Sequence, residues 1–377
     1  GLKIGADGRD RLAVNQHVGG VEVADRRIER QHAPALDQDA AASLRPDRLD
    51  GGAGEQARGS GEEFAAAHRS VEYRMPRMRR RDFLSTSAAA LVAAAATPVN
   101  SFAQTPGAGP VKRKGRLKQS LFRTVFGQNT PGLTTFDEQC KEAARLGVYG
   151  FDLVGAQDWP TMKKYGLTPT LGGMNFASLT DGLVHREQWP EIEKKLREEV
   201  DQCAAGGCKG IITFAGQKRT MTFEQGMDLT VEFMNRVKAM LEDKGVTLCM
   251  ENANSLYPDN VLGRPDQLCD RPSWGLEMCR RVNSPNVKMV YDIYHAQIME
   301  GNVAATIKDN IKWIFHFHCA GVPGRHEIDT SQELNYRFIA QTIVDAGYTG
   351  YIAHEYRPTQ GRSPLEGLEA GLQILDV

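Results

Sequence analysis

The sequence predicts an α/β protein in which residues 117–377 form a (β/α)8 TIM barrel. Short apolar runs alternate with stretches of helical period, the pattern of βα units around a parallel sheet. There are eight such runs, and several end in an ionisable residue. A barrel that gathers its active site at the C-terminal ends of its strands has this pattern. A doubly wound open sheet is the competing arrangement, but no Gly-rich dinucleotide loop follows the first run.

The chain begins differently. Residues 1–74 are rich in Arg, Asp, Ala, Gly and His and hold no Met, Cys or Trp. They read as a disordered arm, or as translated sequence upstream of a start at Met75. Residues 75–103 read as a signal peptide. Arg79, Arg80 and Arg81 precede Phe83-Leu84 and an Ala-rich run to Ala96, and Ser101-Phe102-Ala103 supplies small residues for cleavage. The run is too short and too weakly apolar to span a membrane, so stable membrane insertion is not expected. Its Arg-Arg-Asp-Phe-Leu order resembles a twin-arginine export signal, which implies delivery of a folded protein to the periplasm. Residues 104–116 read as a linker.

The expected strands are 119–125, 150–154, 168–171, 210–214, 247–250, 288–292, 313–318 and 351–354. Helical stripes lie between them. Phe136, Cys140, Ala143 and Leu146 share a face before Gly147, and Trp189, Ile192, Leu196, Val200 and Cys203 share one before Gly206-Gly207. Met227, Val231, Met234, Val237 and Leu241 precede Gly245, and Phe338, Ile339 and Ile343 precede Gly347. Apolar spacing of three and four closed by glycine is the pattern of a barrel's outer helices.

The net charge is −1 and 41% of residues are hydrophobic, enough for one large core. No basic block occurs in the C-terminal two thirds, so nucleic acid is not an expected partner. The seven cysteines form no CxxC pair and read as reduced, buried thiols.

The strand ends carry the chemistry. They present Asp152, Glu251, Asp292 with His295 close behind, His318, and Glu355. Two glutamates, an aspartate and one imidazole (Glu251, Glu355, Asp292 and His318) make an oxygen-rich donor set. Such a set suits a divalent metal ion, Mn2+ or Mg2+, better than a thiolate zinc site would. His316 shares the strand face of His318 one layer deeper. It reads either as support for that ligand or as a hydrogen-bonded core histidine.

Four stretches resemble the hydroxypyruvate isomerase branch of the xylose-isomerase-like barrels, a group that also includes ketose 3-epimerases. They are Glu251-Asn252-Ala253-Asn254, the run YDIYHAQIMEG from Tyr291 to Gly301, the run from His316 through VPGRHE at Val322 to Glu327, and His354-Glu355-Tyr356-Arg357-Pro358. The resemblance implies metal ligands at Glu251, Asp292, His318 and Glu355, substrate contacts at His295 and Arg325, and an acid/base pair in Glu251 and Glu355. The chain departs from the isomerase pattern at Asn252, where Pro is usual, and at His318, where Gln is usual; His318 is similar to the epimerase branch. Asp152 stands where many relatives have Glu.

The expected reaction is the isomerisation of a small hydroxy-keto acid or sugar, hydroxypyruvate to tartronate semialdehyde being the type case. The proton beside a carbonyl is weakly acidic, so its removal must be coupled to stabilisation of an enediolate, which a divalent ion supplies. One glutamate takes the proton and the other returns it. The guanidinium of Arg325 suits a carboxylate-bearing substrate. A ketose 3-epimerase is the alternative. A metal-dependent phosphodiesterase of the endonuclease type and a non-catalytic sugar-binding barrel are the readings from other classes. The expected partner is a small-molecule substrate, with a homo-oligomer left open.

Overall fold

The computed structural model describes residues 110–173, 175–256 and 265–377. The expected upstream arm and signal peptide lie outside the described residues. Eight parallel strands appear in order: β1 Lys118–Leu121, β2 Gly150–Asp152, β3 Thr168–Leu171, β4 Gly210–Thr213, β5 Thr247–Glu251, β6 Val287–Asp292, β7 Ile314–Cys319 and β8 Tyr351–His354. Their hydrogen-bonded order is β3-β2-β1-β8-β7-β6-β5-β4. Between β3 and β4 the ring closes through a bridge at Gly172 and Ile211, with Gly172 N donating to Gly210 O and Ile212 N to Gly172 O, each at 2.9 Å. The TIM barrel expected from the sequence is the fold observed.

Among the described residues the helices are α1 Phe136–Arg145, α2 Trp159–Lys164, α3 Trp189–Gly206, α4 Phe223–Lys244, α5 Pro272–Val282, α6 Ile293–Met299, α7 Val303–Asn310, α8 Tyr336–Asp345 and α9 Pro364–Ile374. Local chemistry sets several of their ends. Thr135 with Glu138 starts α1 and Thr222 with Gln225 starts α4 as reciprocal capping boxes, and Gly207 and Gly245 close α3 and α4 in the left-handed conformation.

The barrel interior is filled by Leu171, Ile212, Phe214, Cys249 and Val290. Side chains alternate along a strand, so Glu251 and Asp292 point inward too, one layer above Cys249 and Val290. Phe151, Leu248, Met250 and Met289 belong instead to the larger core that also holds residues of the surrounding helices. The start of the barrel is pinned to it. Val111 N donates to Arg145 O, Arg113 Nε to Leu146 O and Lys114 N to Asp376 Oδ1 at 2.7 to 2.8 Å.

Three expectations need correction. The first strand ends at Leu121, because Arg123–Phe126 turn into a 3-10 helix that buries Val125 and Phe126. Trp313 closes a 3-10 turn before β7 and is not part of the strand. Phe338 is 60% exposed, since α8 buries Tyr336, Ile339, Ala340 and Ile343. No helix among the described residues is long and apolar enough to cross a membrane.

Candidate active site at the strand ends

Glu251, Asp292, His318 and Glu355 converge at the C-terminal ends of β5, β6, β7 and β8. All four are buried, and each offers a ligand atom within 4.8 Å of the others. His318 Nδ1 lies 2.6 Å from Glu251 Oε1 and 2.9 Å from Glu355 Oε2. The other ring nitrogen, Nε2, lies 3.2 Å from Asp152 Oδ2. The rings of Phe122 and His318 meet edge to face, with their centroids 5.0 Å apart.

Asp292 divides its carboxylate. Oδ1 accepts from the backbone N–H of Tyr294 and His295, capping α6. Oδ2 faces His295 Nε2 at 3.4 Å and Arg325 Nη2 at 3.5 Å. His295 is therefore tied into the cluster, and its Nδ1 lies 2.7 Å from the side-chain nitrogen of Asn254. Arg325 comes from the loop after β7. Its Nη2 is 2.8 Å from Glu355 Oε1, its Nε donates to Glu355 O at 3.3 Å, and its guanidinium stacks over Tyr294. The Arg325 backbone has φ of 56°, a left-handed conformation rare for a residue with a side chain. Such strain, held in place by surrounding contacts, is typical of a site that needs one side chain aimed in one direction.

The electrostatics follow from crowding acids away from water. Burial pushes the Glu251 carboxyl up to about 7, with the charges of Glu355 and Asp292 adding to the rise against the pull of His318. Burial likewise lifts Asp292 to about 6, assisted by Glu355 and opposed by Arg325. Glu355 is also pushed up by burial, but Arg325 and then His318 outweigh it and hold it at about 2. Burial disfavours the His318 imidazolium, yet Glu355, Glu251 and Asp152 overcome that and hold its pKa well above the usual value.

These residues fit a divalent cation. Four buried carboxylates (Asp152, Glu251, Asp292 and Glu355) crowd around one imidazole, and three of them with that ring bring ligand atoms within 4.8 Å of one another, so their mutual repulsion is of the kind a bound dication relieves. Three carboxylate ligands and one imidazole are the donors that oxygen-preferring dications take.

Two features lie beyond the sequence reasoning. Asn252 clamps the backbone of Asp292, donating from its amide to Asp292 O and accepting from Asp292 N, both at 3.0 Å. Its place directly after Glu251 was the available signal. The second feature is the set of partners around Asp152. Ser120 and Thr170 donate to Oδ1, and His316 Nε2 lies 2.7 Å from Oδ2. His316 is buried against Asp152, the carboxylate that also meets His318. His354, by contrast, is a core histidine with Nε2 2.9 Å from Gln119 Oε1, held neutral by burial.

A family model described as Xylose isomerase-like TIM barrel matches residues 140–376. A Cupriavidus necator protein named 2-oxo-tetronate isomerase is 40% identical over 120 residues, 32% of this chain and 44% of that one. A Danio rerio protein with the provisional name hydroxypyruvate isomerase is 34% identical over 161 residues, 43% of this chain and 54% of that one. The chain thus spans about half the length of the curated relatives it matches. Among solved structures, an AP endonuclease, family 2, from Brucella melitensis superposes with a TM-score of 0.56 at 24% identity, over 68% of this chain and 97% of that one. At that identity the likeness concerns the fold.

Proposed function

Because the chain belongs to the xylose isomerase-like TIM barrel family, we propose that it is a metal-dependent isomerase of a small hydroxy-keto acid, of the hydroxypyruvate or 2-oxo-tetronate class. The observation that carries this reading is the buried set of Glu251, Asp292, His318 and Glu355 with a buried arginine against it. Both relatives bear the name of an enzyme acting on an α-keto acid with a hydroxyl on the adjacent carbon. The carboxylate of such a substrate meets a cation at Arg325.

A divalent ion, Mn2+ or Mg2+, held by Glu251, Asp292, His318 and Glu355, would polarise the substrate carbonyl and the neighbouring hydroxyl. Glu251 and Glu355 form the proton-transfer pair. Their carboxylates meet at the same ring nitrogen of His318, so they face one small space from two strands. One takes the proton from the hydroxyl-bearing carbon and the other delivers a proton to the former carbonyl carbon, while the hydroxyl proton passes to the former carbonyl oxygen, so that hydroxyl and carbonyl exchange places. His295, whose Nδ1 meets Asn254, would hydrogen-bond a substrate oxygen through Nε2, and Arg325 would orient the carboxylate. Burial excludes bulk water from the pair. On the pattern of residues 75–103, the enzyme acts after export to the periplasm.

Exchange of the substrate carbon-bound proton for deuterium, followed by NMR with Mn2+ present, tests the reading. Hydroxypyruvate and 2-oxo-tetronate are expected to exchange, and Glu251→Gln or Glu355→Gln to lower exchange by about a thousandfold, within the range ascribed to acid-base catalysis. Exchange in ketoses but not in keto acids would favour an epimerase. Exchange retained in the double variant would refute the assigned pair.

A further inference from the structure

Asp152 is the one carboxylate of the centre to which the proposed reaction gives no task. It is buried, and its two oxygens are used differently. Oδ1 accepts from Ser120 Oγ at 3.2 Å and from Thr170 Oγ1, hydroxyls on β1 and β3 either side of its own strand. Oδ2 is turned inward, 3.2 Å from His318 Nε2 and 2.7 Å from His316 Nε2. The next residue, Leu153, has φ of 55°, and its N–H donates to Leu171 O at 2.8 Å, so the chain turns sharply once Asp152 is in place.

The His318 ring therefore lies among three carboxylates, with Asp152 on Nε2 and Glu251 and Glu355 on Nδ1. An imidazole has two ring nitrogens, and the bond made by one decides which role is left to the other. With Nε2–H donating to Asp152, the lone pair of a neutral ring resides on Nδ1, towards the acids of β5 and β8.

We infer that Asp152 is a positioning residue: fixed by Ser120 and Thr170, it holds the His318 ring so that Nδ1 is presented to the cluster with Glu251, Asp292 and Glu355. The inference rests on the metal reading above. A carboxylate behind a ligand histidine fixes ring orientation and tautomer and makes the ligand nitrogen more basic, and its removal typically weakens metal binding about 10- to 100-fold. Asp152, His316 and His318 are also near enough to one another to hold an ion themselves. The hydroxyls on Oδ1 and the second use of the His318 ring favour orientation instead.

The test is a calorimetric titration of the metal-free protein with Mn2+, run on the wild type, Asp152→Asn, His318→Gln and the double variant. Glutamine can offer an oxygen to an ion but has no second ring nitrogen for Asp152 to hold. The expected result is one equivalent of Mn2+ for the wild type and a loss in affinity of about 10- to 100-fold for Asp152→Asn. In the His318→Gln background the same change is expected to alter affinity less than about threefold, the signature of coupled residues. Equal losses in both backgrounds would show that Asp152 only supports the fold, and two equivalents would assign the triad to a second ion; either overturns the inference. Thr170→Val leaves the carboxylate in place and guards against a variant that fails to fold. It is expected to weaken Mn2+ binding in the same direction, and unchanged affinity counts against the inference. Proton NMR of the metal-free protein separates this inference from the reading it rests on. A slowly exchanging His318 Nε2–H resonance is expected in the wild type and not in Asp152→Asn. If the wild type takes up no Mn2+, the proposed function fails, while this resonance still decides whether Asp152 holds the ring.

Discussion

Asn252 holds Asp292 by both of its backbone polar groups, with the side-chain amide donating to the carbonyl and accepting from the N–H, each at 3.0 Å. Asn252 is itself fully buried, so the two bonds join the ends of β5 and β6 away from water. Asn252→Ala removes both of these bonds to the Asp292 backbone. With each buried bond costing about 1–2 kcal/mol to lose, the variant is expected to be about 2–4 kcal/mol less stable in urea unfolding. Unchanged stability would mean that the clamp contributes nothing.

The crowding of Glu251, Asp292 and Glu355 around His318 predicts a large response to divalent cations. A saturating divalent ion stabilises the folded state by roughly 2.7 kcal/mol at a hundredfold excess over Kd, several degrees in Tm for a chain of this size. Thermal unfolding with Mn2+ against EDTA measures it. The shift is expected to shrink in Asp292→Asn, which removes one carboxylate ligand and keeps the side-chain volume. A shift of equal size in that variant would place the ion elsewhere.

Arg325 distinguishes keto acids from neutral sugars. Arg325→Lys keeps the charge beside Glu355 but loses the planar pair of donors that matches a carboxylate. KM for an α-keto acid is expected to rise about tenfold, the loss of one charge-assisted bond, with deuterium exchange in any neutral ketose changed much less. Equal effects on both would assign Arg325 to charge balance alone.

Glu327 predicts an acid limb. It is buried in the loop after β7, where Thr359 N donates to Oε1 at 3.0 Å and Thr359 Oγ1 to Oε2 at 2.6 Å. Burial raises its pKa, but the bonds from Thr359, with Arg362 assisting, outweigh this and leave it below the ordinary value. A depressed carboxyl favours the folded state above the unfolded pKa of about 4.3, and this contribution is lost as pH falls through the lower folded value. Glu327→Gln is expected to destabilise the protein at neutral pH and to converge with the wild type under acid, as read from unfolding midpoints across pH. A constant difference would assign the effect to packing.

Much of the fold was legible because strands buried on both faces must be apolar and so stand out as runs. The limits of that signal lie where the same residues serve another geometry. Val125 and Phe126 continue the apolar pattern of β1, yet the backbone has already turned into a 3-10 helix. Phe338 sits at a spacing that suits the α8 stripe, but Tyr336 and Ala340 share the buried face instead. In the site, Glu251, Asp292, His318 and Glu355 could be read because each occupies the same place at the end of its strand. The pairing of Asp152 with His318 could not, since β1 and β8 lie between their strands and only ring closure brings the two together. Asn252 could be singled out by its place after Glu251, but its partner could not, because no sequence periodicity reports which backbone an amide will reach.

The single bridge at Gly172 and Ile211 gives the ring a clasp. Elsewhere neighbouring strands are paired over two to four residues, but here a single bridge with two backbone bonds joins the edges. The segments that follow β3 and β4 meet just beyond it, where Leu183 N donates to Phe214 O and Val184 N to Ala215 O. Breathing of the ring should begin at this seam, and amide exchange should be fastest there among the strand residues. Any contact that draws these two segments together would thereby fasten the barrel, so that local order at the seam and global rigidity rise together.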